Sequence, residues 1–253
     1  YDLSKTVTNK RYKGHRREDM STKDAELMEI FDNSIDTMAN LFDKHTSVIV
    51  LKRNLLEADD LIAGYVQKFP DDKHIVISGD KDFIQLLGNP NVKLIDPATG
   101  KRRSLADWED DAELFLFEKC IRGEGKTSDN IQSSYPRLRK TKLVEAYKDE
   151  YKRQNVMNNT FEQTELDDEG NAYKAEYKTK DLFEENKLLM DLRAQPDAIR
   201  RAIDRTIEKA LKNRGTYNSI KFLQYCSKHS LQRILENSGD FKSLFKVNPG
   251  NKD

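Results

Sequence analysis

"HIVISGDKDFIQLL", residues 74–87, is the stretch that decides the fold. Ile75, Val76 and Ile77 form an uninterrupted β-branched run, the pattern of a buried strand. Gly79 ends it, Asp80 and Asp82 follow one residue apart, and "KDFIQLL" reads as a short helix. Two carboxylates set that close raise each other's pKa and repel unless a cation joins them.

The neighbouring segments extend the pattern. "STKDAELMEIFDNSIDTMANLFDKH" places Leu27, Ile30, Phe31, Ile35, Met38, Leu41 and Phe42 on one helical face, with Ser21 as N-cap. "SVIVL" (47–51) reads as a strand, "EADDLIAGYVQKF" (57–69) as a helix and "NVKLID" (91–96) as another strand. "DPATGK" is a turn, and "DDAELFLFEKCI" (110–121) is an amphipathic helix. Strands alternating with helices predict an α/β fold with a mainly parallel central sheet flanked by helices. In such sheets ligands gather beyond the carboxyl ends of the strands, where Asp80 and Asp82 stand.

Strand signals stop at about Ser133. "LRKTKLVEAYKDEYKRQ" reads as helical and basic, "TELDDEGNAYKAEY" as a polar excursion, and the rest as helices. The expected plan is an α/β portion over residues 1–132 and a helical portion over 133–253.

With 44 basic and 44 acidic residues among 253, net charge is zero and says nothing about partners; distribution has to. No apolar run nears the roughly 20 residues of a membrane span. Cys120 and Cys226 lack metal-ligand spacing and read as core thiols of a reducing, cytosolic compartment. The four histidines show no pairing that suggests catalysis.

Carboxylates occur in three clusters: Glu57, Asp59 and Asp60 in "EADD"; Asp80 and Asp82; and Glu124 and Asp129 in "RGEGKTSDN". Each has an ordinary explanation, either charge at the positive end of a helix or local turn chemistry. Together, each just after an apolar element, they point to a site where hard cations such as Mg²⁺ are bound through oxygen. Two such ions about 3.5–4 Å apart can activate water and stabilise a leaving oxygen at a phosphodiester. Lys13 and Arg16 are spaced to share a helix face and to grip a scissile phosphate. Arg137, Arg139, Lys140 and Lys142 in "YPRLRKTK" suit contact with a duplex backbone.

"YKGHR", "EADDLIA", "SGDKDFIQL" and "RGEGKTSDNI" resemble the signature series of the 5′ nuclease (flap endonuclease) superfamily. "FEENKLLMDLRAQPDAI" and "SIKFLQYCSKHSLQRI" are similar to the branch of T-even bacteriophage ribonucleases H. The resemblance implies a Mg²⁺-dependent 5′→3′ exonuclease and flap endonuclease with ribonuclease H activity, using two ions, with Mn²⁺ as a substitute. It implies an arch from roughly residues 13–24 and the following helix, with Lys13 and Arg16 at its base. Glu57, Asp59 and Asp60, Asp80 and Asp82, and Asp129 match the family's metal-binding carboxylates, and the segment after Asp129 its duplex-gripping element. Implied partners are duplex DNA and RNA–DNA with 5′ ends or flaps, a phage sliding clamp and a single-strand-binding protein. The implied setting is a monomer in the infected bacterial cytoplasm during phage DNA replication.

Two departures stand out. Glu124 replaces the family's usual Asp, with two extra residues before Asp129. The chain opens at Tyr1, with no match to an earlier strand ending in a metal-binding Asp, nor to the Asp before the arch. The expectation is an N-terminally incomplete chain, weakly active or inactive by itself where its parent is active. A haloacid-dehalogenase-like phosphohydrolase also places D-x-D after a strand, but Phe83 and Ile84 do not continue that motif. A nucleic-acid-binding module without catalysis is the remaining alternative.

Overall fold

The structure, a computed structural model, describes residues 21–54, 56–124, 131–166 and 169–245. Contacts divide the chain into two units.

The first unit is built on Glu57–Arg200. Helix α2 (Ala58–Lys68) leads to strand β1 (His74–Ile77), a 3₁₀ segment (Lys81–Gly88), strand β2 (Val92–Ile95) and helix α3 (Ala112–Arg122). Strands β1 and β2 pair in parallel, His74 opposite Val92 and Ile77 opposite Ile95. Val76, Val92 and Leu94 turn inward and pack with Ala63, Phe83 and Phe115. The opposite face stays open: Ile75 is 62% and Ile77 67% exposed. Among the described residues the parallel sheet has two strands, β1 and β2, with helices and the core on one face.

Beyond α3, the basic stretch expected to be helical over 138–154 forms two helices, α4 (Lys140–Lys148) and α5 (Glu150–Met157). Asp149 makes the break: its N–H bonds Glu145 O at 3.0 Å, closing α4, while its carboxylate accepts the Lys152 N–H at 2.9 Å, capping α5.

Strand signals do not stop at Ser133. Strands β3 (Thr160–Leu166) and β4 (Ala172–Lys178) form an antiparallel hairpin where a polar excursion was expected. Phe161 pairs with Tyr177, their ring centroids 6.0 Å apart. The hairpin escapes periodicity because most of its residues are exposed and backbone pairing holds it. Helix α6 (Thr179–Met190) follows. Asn186 ties it to α3 by donating to Cys120 O at 2.8 Å, and Gln85 donates to Met190 O at 3.0 Å.

The second unit combines residues 21–56 with 201–245. Helix α1 (Thr22–His45) starts as expected, with Ser21 Oγ accepting the Asp24 N–H at 3.2 Å. Only the C-terminal half of its apolar face is covered. Leu41 is buried with Met38 and Phe42 against Phe222 and Phe245, whereas Leu27, Ile30, Phe31 and Ile35 are exposed. The stretch 47–51 is not a strand, because its backbone bonds elsewhere. Ser47 N–H and Oγ both donate to Phe245 O, at 3.0 and 2.6 Å, and Ser47 O accepts from Arg214 Nε at 2.6 Å. Helices α7 (Asp197–Lys212), α8 (Ser219–Lys228), α9 (Gln232–Glu236) and α10 (Ser238–Phe245) complete the described chain.

Candidate functional site

Where β1 ends, Ser78 N–H still bonds Ile95 O at 3.0 Å, so the chain leaves the sheet in register with β2. Asp80 then accepts the Asp82 N–H at 2.9 Å, a short side-chain turn that starts the 3₁₀ segment. Phe83 and Ile84 are buried in the core, which anchors the turn and fixes Asp82 at its rim.

A cation does join the acidic residues, and it is Lys119. Standing in the last turn of α3, it bonds Asp82 and reaches Glu124 Oε1 at 2.6 Å. All three side chains are largely withdrawn from solvent. Burial pushes the Asp82 carboxyl up, and Lys119 only partly offsets this because Asp80 and Glu124 add negative charge. For Lys119 burial acts downward, but the two carboxylates outweigh it and the net shift is upward. One ammonium therefore faces several carboxylates, and the Asp82 carboxyl is held above its ordinary value of 3.8. Lys119 was not a sequence candidate; its only signal is its place one helical turn before Gly123.

Gly123 sets the position of Glu124. Its φ is +64°, and a Cβ there would lie 2.5 Å from the Gln132 carbonyl group. That close approach lets Glu124 N–H bond Ile131 O at 2.8 Å, drawing the two ends of the intervening loop together. Asp129, inside that loop, lies outside the described residues, as do Lys13 and Arg16.

The "EADD" cluster opens α2. Glu57 N–H bonds Asp60 Oδ2 at 3.3 Å, Asp60 N–H bonds Asp59 Oδ1 at 3.1 Å, and the buried Asp60 also accepts from the Gln195 amide. Asp60 is therefore engaged in holding the helix start to the segment after α6.

Asp80, Asp82 and Glu124 are the hard oxygen donors that a divalent ion takes. Lys119 already bridges two of them, however, and among the described residues no three metal-ligating side chains come together. An ion taken up by Asp82 and Glu124 would have to displace Lys119 from between them.

The basic stretch divides. Arg137, Arg139 and Lys142 line one open groove, with Lys152 beside them. Lys140 turns away, donating to Asp107 O at 3.1 Å and lying 5.8 Å from the centre of the Trp108 ring.

Comparison with protein families matches residues 3–114 to the 5′-3′ exonuclease N-terminal, resolvase-like domain. That span contains the α2 start and the Asp80–Asp82 turn, whereas Lys119 and Glu124 lie beyond it. No curated protein matches the chain.

Proposed function

Since residues 3–114 match the N-terminal, resolvase-like domain of 5′-3′ exonucleases, we propose that the chain hydrolyses phosphodiesters at the 5′ ends of duplexes and flaps. Nucleases of this family act on nucleic acid and generally use divalent metal ions. The finer reading is a Mg²⁺-dependent 5′→3′ exonuclease and flap endonuclease with ribonuclease H activity, removing RNA primers in phage DNA replication. Two Mg²⁺ ions, replaceable by Mn²⁺, would activate water and stabilise the leaving oxygen. Duplex DNA and RNA–DNA are the substrates, and the groove of Arg137, Arg139 and Lys142 offers a backbone contact that does not read sequence. A sliding clamp, a single-strand-binding protein, a monomeric state and the infected host's cytoplasm are supported by the sequence resemblance alone.

The family match carries this reading, and what this chain's residues do is consistent with it. Asp80 sets the turn, Asp82 stands at the carboxyl end of a parallel strand, and Lys119 holds Asp82 and Glu124 together until a stronger cation competes. The test is cleavage of a 5′-labelled flap and an RNA–DNA duplex, with Mg²⁺ or with EDTA. Metal-dependent release of short 5′ products that disappears in Asp80→Asn and Asp82→Asn is expected. Release of inorganic phosphate from small phosphomonoesters, without cleavage of either duplex, would replace this reading with a phosphohydrolase.

A further inference from the structure

Beside Lys119, on the side of α3 that faces the β2–α3 connection, lies a pocket that the carboxylate cluster does not use. Its lining carries five cationic side chains, Lys81, Arg102, Arg103, Lys119 and Arg122, against two carboxylates, Asp107 and Glu118. Several of these charges are already committed. Lys119 holds Asp82 and Glu124, Arg122 Nε holds Glu118 at 2.6 Å, and Glu118 also accepts the Trp108 indole N–H at 2.9 Å. Arg103 Nη2 bonds Asp96 at 2.6 Å, yet its Nε is buried with no hydrogen-bond partner. Lys81 and Arg102 make no ion pair among the described residues.

We infer that this pocket receives the 5′-phosphomonoester of a nucleotide, with Lys81 and Arg102 as its ion-pairing residues. A phosphomonoester fits better than an internal phosphodiester because it has one more charged oxygen, enough for two separate cations. Ile84, Phe115 and Trp108 give the pocket an apolar wall against which a sugar or base can lie. Its place follows from the chain: Lys81 sits between Asp80 and Asp82, so a phosphate bound there is next to the carboxylates. The sequence signal was the run Lys101, Arg102 and Arg103, directly after the turn. The inference deepens the nuclease reading and rests on it, since it assigns a position to one end of the strand being cut.

The experiment is binding of a 3′-labelled single-stranded oligonucleotide, with either a 5′-phosphate or a 5′-hydroxyl, to the full chain in EDTA. The 5′-phosphorylated strand should bind about tenfold tighter, as one good charge-assisted contact would give. The Lys81→Ala/Arg102→Ala double variant should lose that preference while holding the 5′-hydroxyl strand to within about twofold. Both substituted side chains are exposed, so folding is spared, which a circular dichroism melt verifies. A nucleoside 5′-monophosphate at saturating concentration should abolish the preference, and its failure to compete overturns the inference. Equal affinity of the wild type for the two strands overturns the inference, as does a preference that survives in the double variant. Because EDTA removes cleavage, failure here leaves the nuclease reading standing. Conversely, a chain that shows the preference but never cleaves would sink the nuclease reading alone.

Discussion

Two acidic stretches of the first unit, 57–60 and 80–82, look alike in sequence and do different things in the structure. In the first, carboxylates are taken up by helix-start N–H groups and the Gln195 amide. In the second, Asp80 shapes a turn and Asp82 is held at the rim by Lys119. The contrast teaches that an acidic cluster is informative through its partners. One stretch has backbone N–H groups and a neutral amide beside its carboxylates, the other a charged ammonium that another cation could replace.

The largest effect that can break this comparison is on cleavage. Asp82→Asn is expected to cut product release about a hundredfold or more, the scale of removing one preorganised charge from a reacting site. Its urea-unfolding midpoint should stay close to that of the wild type. If instead the variant unfolds readily and still cleaves, the two stretches have been assigned the wrong way round.

Next comes Lys119→Gln, which removes the ammonium and leaves Asp80, Asp82 and Glu124 facing one another. Because the group is only partly exposed, a loss of about 2 kcal/mol in urea unfolding is expected, less than for a fully buried pair. Millimolar Mg²⁺ should restore part of it in Lys119→Gln and add little to the wild type. A variant as stable as the wild type in EDTA would show that the lysine bridge holds nothing.

Asp60→Ala tests the other stretch. Its loss orphans the Gln195 amide and the Glu57 N–H, so a drop of about 1–2 kcal/mol in unfolding free energy is expected, insensitive to Mg²⁺. A deficit that widens when Mg²⁺ is added would instead mark Asp60 as part of the cation centre.

The smallest effect sharpens the comparison with a cap far from any proposed chemistry. Asp111 starts α3, accepting from Glu113 and Leu114 N–H at 2.8 and 3.4 Å and from the Tyr147 hydroxyl at 2.7 Å. Burial works to raise its pKa, but these donors outweigh it and hold the carboxyl below its ordinary value of 3.8. A depressed folded-state pKa contributes stability that is present above the ordinary value and lost as pH falls through the lower one. Asp111→Ala should therefore cost about 1 kcal/mol near neutrality. The gap from the wild type should close as the medium is acidified below about pH 3.8, and a pH series of urea melts measures it.

The parallel β1–β2 pair, the helix starting at Ala58 and the D-x-D turn between strand and 3₁₀ segment were legible in the sequence, because local pattern and burial agree there. The stretch 47–51 misled because β-branched composition reports burial, and its backbone is bound to Phe245 and Arg214, far away in the chain. The β3–β4 hairpin was hidden for the opposite reason: it pairs with itself and buries little. Within the site, the proximity of Asp82 to Glu124 followed from element order, but Lys119 did not. A lysine in a last helical turn is ordinarily read as favourable charge at the helix end. Only coordinates show its ammonium between two carboxylates.

Gly123 has one more consequence. With the backbones of 123–124 and 131–132 drawn to within a hydrogen bond, the intervening segment enters and leaves through a cinched neck. Lengthening a segment tied off at its base adds only a small closure entropy, about 0.6 kcal/mol per doubling. Evolution can therefore add or delete residues there without disturbing the helix below, which makes this neck a tolerant place for the chain to carry its unusual spacing before Asp129.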